Sequence, residues 1–300
     1  MTISASLMGY YLGNTRPSDV FVLCLVVIGF CAHYFGFALN DIVDHNIDAE
    51  VEYHSNPISN GTLAPVSAWI ATITILVISI LVLVSVAAKP LSILIYIISV
   101  SFSVFYNLQS KATAFSKSLT ELSLGLAIGG LFLVGVTIDS AQVSNAVLIF
   151  GLGLVLVVIL LNSVLGGLKD IHTDIRQGAY TFVMSMGVSI RQDGSLAMPR
   201  SFKMYASILQ WLILICVICA VVATQPGWLT TALVFALSIY SVSHLAHTLE
   251  TSLIRSSQWS KIVRSAYAHY ASLLLIALPT FPIILRVFYL IFIVVLFAVL

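Results

Sequence analysis

Residues 18–50 read SDVFVLCLVVIGFCAHYFGFALNDIVDHNIDAE, an apolar run that ends in Asn40, Asp41, Asp44 and Asp48. At about 1.5 Å per residue, the stretch 18–40 is long enough as a helix to cross the roughly 30 Å hydrocarbon core of a bilayer. If the helix continues past residue 40, a turn of about 100° per residue sets Asn40, Asp41, Asp44 and Asp48 at about 0°, 100°, 40° and 80°. They form one wall at the end of a span. Three carboxylates on one wall, with Glu50 and Glu52 just beyond and no Lys or Arg before Lys89, repel one another unless a cation joins them.

The rest of the chain calls for the same solvent. Of its 300 residues, 60% are hydrophobic and 8% charged, too few polar groups to cover a soluble globule. Apolar runs bounded by Gly, Pro and charge predict spans near 18–40, 64–88, 90–108, 117–138, 144–168, 203–223, 228–249 and 265–285, with a last apolar stretch at 286–300. A piece at 2–13 covers only about 18 Å, so it is read as incomplete or partly interfacial. Pro279 and Pro282 either kink one long closing helix or separate two short ones. The first residues lack a charged leader region and are expected to be retained. A net charge of +1 without a basic tract gives nucleic acid no footprint, so no nucleic-acid partner is expected. Cys24, Cys31, Cys216 and Cys219 all lie in apolar runs and read as packing residues.

If these runs cross alternately, the loops 41–63, 109–116, 169–202 and 250–264 share one face. That face holds ten of the 13 Lys and Arg, leaving Arg16, Lys89 and Arg286, and by the positive-inside rule it is cytoplasmic.

A second acidic cluster closes the run 144–168, where NSVLGGLKDIHTDIRQG supplies Asn162, Asp170 and Asp174. Asp170 and Asp174, four residues apart, project from one helix face. Oxygen ligands without sulfur favour a hard ion, Mg²⁺ before Zn²⁺. Mg²⁺ takes one or two carboxylates and completes its shell with water and phosphate oxygens, so two acidic helices at one face describe a metal-bridged diphosphate clamp. Helix caps or pairing with loop lysines would explain one cluster far better than two. An ion carrier would spread its acids through the membrane depth, whereas here they gather at one end; a membrane scaffold would leave them unexplained.

These residues resemble a known family. Asn40, Asp41, Asp44 and Asp48 read as N-D-x-x-D-x-x-x-D, and Asp170 and Asp174 as the second D-x-x-x-D, of the UbiA superfamily of intramembrane prenyltransferases. NPISNGTLAP, LKDIHTDIRQGAYTF and FYNLQSK resemble the stretches around those motifs, over roughly residues 18 to 250. The resemblance implies an all-α polytopic membrane fold, a single domain over 1–300 with its first helix truncated. About nine transmembrane helices would surround a central cavity under a cytosolic cap of the two Asp-motif loops. It implies an Mg²⁺-dependent enzyme of the cell membrane, facing the cytoplasm, that ionises an allylic prenyl diphosphate. The isoprenoid would pass to a small acceptor, a quinone-precursor aromatic or a glycerol-phosphate lipid, or the cation would close on itself as in a membrane terpene cyclase. Asn40, Asp44, Asp48, Asp170 and Asp174 would hold metal or diphosphate, and Asp41 would support them or deprotonate the acceptor. Tyr106, Lys111, Lys117, Asn162, Lys169 and Arg176 would contact substrate. One departure is Asn56, where the family has Arg before Pro; another cation or His54 would replace that contact, and an Arg restored there is expected to be tolerated.

Aromatic faces stabilise a carbocation by about 0.5 to 2 kcal/mol each, which makes Phe30, Tyr34, Phe37, Phe102, Phe105 and Tyr106 candidates, with packing the commoner role. His244 and His247 are weighed as acceptor-pocket groups or metal ligands against interhelical hydrogen bonding. His33 is read as a buried neutral histidine; Tyr267, His269 and Tyr270 are weighed as cavity-facing groups against the interfacial aromatic belt, and the belt is preferred. Lys117 and Glu121 are read as a surface pair.

Overall fold

The computed structural model describes residues 1–14, 17–49, 56–111, 116–139, 143–250 and 259–299. Arg16, Glu50, Glu52 and His54 lie outside them. Twelve α-helices account for nearly all of the described chain. They are α1 (Thr2–Gly13), α2 (Asp19–Asp48), α3 (Pro65–Ser85), α4 (Pro90–Gln109), α5 (Lys117–Thr137) and α6 (Asn145–Ile159), then α7 (Gly167–Arg176), α8 (Phe182–Ser185), α9 (Arg200–Thr224), α10 (Trp228–Glu250), α11 (Trp259–Ala277) and α12 (Ile283–Val299). A π-helical segment, Leu160–Gly166, joins α6 to α7. Among the described residues the strands form a two-residue antiparallel pairing of β1 (Ser189–Ile190) with β2 (Leu196–Ala197). Among the described residues, seven helices are long and apolar enough to cross a membrane.

Helix starts follow local chemistry. Pro65 and Pro90 open α3 and α4, where a missing N–H costs nothing, and the Ser144 side chain caps α6 by accepting from the Val147 amide. The closing prolines separate two helices: α11 ends at Ala277, a 3₁₀ turn spans Leu278–Thr280, and α12 begins at Ile283. A continuous span over 265–285 is therefore corrected.

Two compact units make up the chain, one of residues 1–143 with 173–180, the other of 144–172 with 181–300. In the first, α1 is a short helix enclosed by its neighbours. Leu7, Met8 and Tyr10 are buried, and α1 packs against α5 and α2. The approach is close enough that a Cβ at Gly9 would collide with the Phe132 carbonyl, and one at Gly135 with the Ser6 carbonyl. Small residues permit such contact where lipid supplies no hydrophobic drive between helices. Hydroxyls tie the neighbouring helices: Tyr96 to Ser79 at 2.7 Å, Ser92 to the Val134 carbonyl at 3.2 Å, and Ser99 to the Ala127 carbonyl.

Polar groups also bind the second unit. Gln210 on α9 meets Ser241 on α10 at 3.1 Å and His269 on α11 at 2.7 Å. His269 and Tyr270 are buried, so their assignment to an aromatic belt is wrong; they are interior groups of a helix bundle. His33, read as buried, is exposed, with its ring 4.7 Å from Phe37. The four cysteines are free thiols.

Candidate functional site

The long α2 helix runs unbroken through its acidic end, as the angular argument requires, and carries Asn40, Asp41, Asp44 and Asp48 to one wall. Asp44 is buried at 2% exposure, and the Lys111 ammonium stands 2.9 Å from its Oδ2 and 3.8 Å from Asp48 Oδ1. Lys111 follows the last turn of α4, which bears Tyr106. Burial alone would lower the Lys111 pKa, but the carboxylates of Asp44, Asp48 and Asp174 outweigh it and hold the ammonium above the ordinary value of 10.5. Lys111 thus offsets part of the wall's negative charge. The Asn40 amide reaches the Asp44 carboxyl, and Asp41, half-buried, completes the row.

Asn56 locks this arrangement. It is 4% exposed; its amide donates to Asp48 Oδ2 at 2.8 Å and to the Asp41 carbonyl at 2.9 Å, while its Oδ1 accepts from the Ile58 amide at 3.0 Å. Ser59 adds a bond from its hydroxyl to the His45 carbonyl at 2.7 Å. The residue that stands where the family has Arg is enclosed and serves as a brace for Asp48. Asn-Pro promises a turn; it gives no sign that the amide reaches back to the helix eight residues earlier.

Asp170 and Asp174 share α7, one turn apart. Asp174 is buried at 6% exposure. Asp170 is half-exposed, with Lys169 at 3.2 Å, so for this residue pairing with a neighbouring lysine is real, though a pair this exposed contributes little. Asn162 lies in the π-helical segment and Arg176 is exposed at the end of α7. Lys117 and Glu121 are no surface pair, being 5% and 7% exposed. The Lys117 ammonium donates to the Gln109 and Ser110 carbonyls at 3.0 Å, closing the end of α4, and lies 5.8 Å from the Tyr180 ring. Phe30, Tyr34 and Phe37 present open faces on α2, 48%, 58% and 62% exposed.

Among the described residues, no three His, Cys, Asp or Glu side chains form a ready-made metal cage. The donors still suit a hard ion that brings water and phosphate oxygens with it. Asp44 Oδ2 is buried and, beyond the ion pair, has no aligned hydrogen bond, which leaves it lone pairs for a cation.

The sequence profile of the UbiA prenyltransferase family matches residues 2–258. The chain belongs to that family. No curated protein matches the sequence significantly. Solved structures share the fold at low identity. One, described as a digeranylgeranylglyceryl phosphate synthase in membranes, is 20% identical over 92% of each chain, with a TM-score of 0.67. A UbiA homologue from Archaeoglobus fulgidus bound to GPP and Mg²⁺ is 14% identical over 91% of this chain and 94% of its own, at 0.61. The apo UbiA homologue from Aeropyrum pernix K1 is 15% identical over the same shares, at 0.63. This chain is accordingly an integral membrane protein of a prenyltransferase family.

Proposed function

We propose that the protein is an Mg²⁺-dependent prenyltransferase that transfers an isoprenoid from an allylic diphosphate to a small acceptor, with its acidic wall at the cytoplasmic face. The observation that carries this reading is the Lys111 ammonium held between the carboxylates of Asp44 and Asp48 at the end of a membrane-length helix. The family and the GPP- and Mg²⁺-bound neighbour support it. Asn40, Asp44, Asp48, Asp170 and Asp174 are the proposed ligands. Bound Mg²⁺ supplies charge that lets carboxylates hold a diphosphate and eases departure of pyrophosphate.

Lys111 offers an ammonium to the leaving diphosphate oxygens. The bond between isoprenoid C1 and oxygen breaks with its electron pair going to pyrophosphate; an acceptor oxygen or ring carbon then supplies the pair for the new bond. Asp41 takes the acceptor proton. Apolar surroundings keep water from the cation, and the open rings of Phe30, Tyr34 and Phe37 offer it π faces. Asn56 keeps Asp48 in place throughout. The neighbour described as a digeranylgeranylglyceryl phosphate synthase favours a glycerol-phosphate lipid over a quinone-precursor aromatic as acceptor.

The test is pyrophosphate release from a panel of allylic diphosphates with Mg²⁺, with and without each acceptor, using Asp174→Ala as control. Acceptor-dependent release, lost in the control, is expected. Acceptor-independent release with a cyclic hydrocarbon would make the protein a cyclase, and no release with any donor would overturn the enzymatic reading.

A further inference from the structure

In the second unit, α10 and α11 pack together, and the Ser241 hydroxyl donates to the Ser265 carbonyl at 2.6 Å, which sets their facing positions. His244 lies about 4.5 Å along α10 beyond Ser241, and Arg264 immediately precedes Ser265. Both sit near helix ends, His244 about 9 Å from Glu250 and Arg264 about 7.5 Å from Trp259. That is within about 10 Å of the helix ends, close enough to the hydrocarbon edge for a long Arg side chain to snorkel to the lipid headgroups.

His244 Nδ1 and Arg264 Nε are each buried with no hydrogen-bond partner, in residues that are otherwise only partly buried. Arg264 and His247 stand close enough to His244 to bear on it electrostatically. Tyr240 holds the imidazole from one side with ring centroids 5.5 Å apart, and Phe297 on α12 braces Tyr240 edge-on at 6.3 Å. Guanidinium has donors only. Among the described residues no carboxylate pairs with Arg264, and a buried charge left without a counter-charge is costly. A partly buried cation with an unfilled donor, beside an imidazole with an unfilled nitrogen, is the chemistry of an anion site.

We propose that His244 and Arg264 bind the phosphate monoester head of a lipid. The source is either the acceptor lipid, which rests on the function proposed above, or an anionic lipid of the bilayer.

The full chain is placed in nanodiscs of neutral phosphatidylcholine, and binding of geranylglyceryl phosphate is compared with that of uncharged geranylglycerol. A second arm replaces part of the phosphatidylcholine with phosphatidylglycerol and phosphatidic acid and measures retained lipid by native mass spectrometry. In one arm or the other, the wild type is expected to prefer the phosphate form by about tenfold or more, as one charge-assisted hydrogen bond implies. Arg264→Gln should lose the preference and Arg264→Lys recover part of it. Preference in neutral discs assigns the site to the acceptor, and selective retention of phosphatidic acid alone assigns it to bilayer lipid. Should Arg264→Gln not fold, His244→Ala gives the same reading with a smaller loss. Equal binding of charged and uncharged forms in both arms, or a preference untouched by both variants, overturns the proposal. An Arg264-dependent preference in a protein that releases no pyrophosphate would sink the enzymatic reading and leave the anion site standing.

Discussion

Asn56→Ala removes a side chain only 4% exposed that bonds Asp48 Oδ2, the Asp41 carbonyl and the Ile58 amide. A hydrogen bond to a charged partner contributes about 1.5 to 3 kcal/mol and a neutral one about 1 kcal/mol. Asp48 is 25% exposed, so water recovers part of the loss, and a net destabilisation of about 2 to 4 kcal/mol is expected. Residues that orient metal ligands typically change metal affinity by about 10- to 100-fold when removed. The Mg²⁺ concentration giving half-maximal pyrophosphate release should therefore rise by about tenfold or more, and direct Mn²⁺ binding, followed by electron paramagnetic resonance, should weaken in parallel. A lower melting temperature with unchanged metal dependence would show that Asn56 merely holds the turn, and the brace on Asp48 would have no functional content.

Other substitutions probe the surroundings. Lys111→Met leaves Asp44 buried without its counter-charge and should cost about 3 to 5 kcal/mol in detergent unfolding, with weaker donor binding; unchanged donor affinity would remove its substrate role. Because the folded Lys111 pKa is raised, its stabilisation is fully present below the unfolded value of 10.5 and lost as pH rises through the folded value. The stability gap between wild type and Lys111→Met should hold steady through neutral pH and close only above 10.5. Lys117→Met is expected to lower the melting temperature through the lost carbonyl bonds at the end of α4 while leaving donor affinity alone; a large affinity loss would return Lys117 to the substrate. Gly135→Leu should separate α1 from α5 and cost at least about 1 to 3 kcal/mol, read as a fall in melting temperature.

What the sequence discloses here is governed by period and composition. The acid wall on α2 was legible because helical spacing fixes which residues share a face, whatever lies opposite. Asp170 and Asp174 were legible for the same reason. Lys117 was not: spacing showed Glu121 four residues on, but not the turn of α4 whose carbonyls take the ammonium. Burial of α1 escaped a reading based on length, since its small residues matter only against the Phe132 carbonyl and the Val136 side chain of α5 that they meet. His269 has the composition of an interfacial residue and becomes interior through Gln210, 59 positions earlier.

The π-helical segment Leu160–Gly166 has a bearing on how such a chain can vary over time. A π turn accommodates an extra residue within an otherwise α-helical path. Deleting one residue there would let the segment relax to α-helix, and because the wider π turn already absorbs that residue, α7 would keep nearly the same heading. Asp170 and Asp174 would stay one turn apart and face nearly the same way. The same deletion in the regular α-helical stretches on either side would swing the aspartates by about 100°, so natural single-residue length variation should gather between Leu160 and Gly166 rather than beside it.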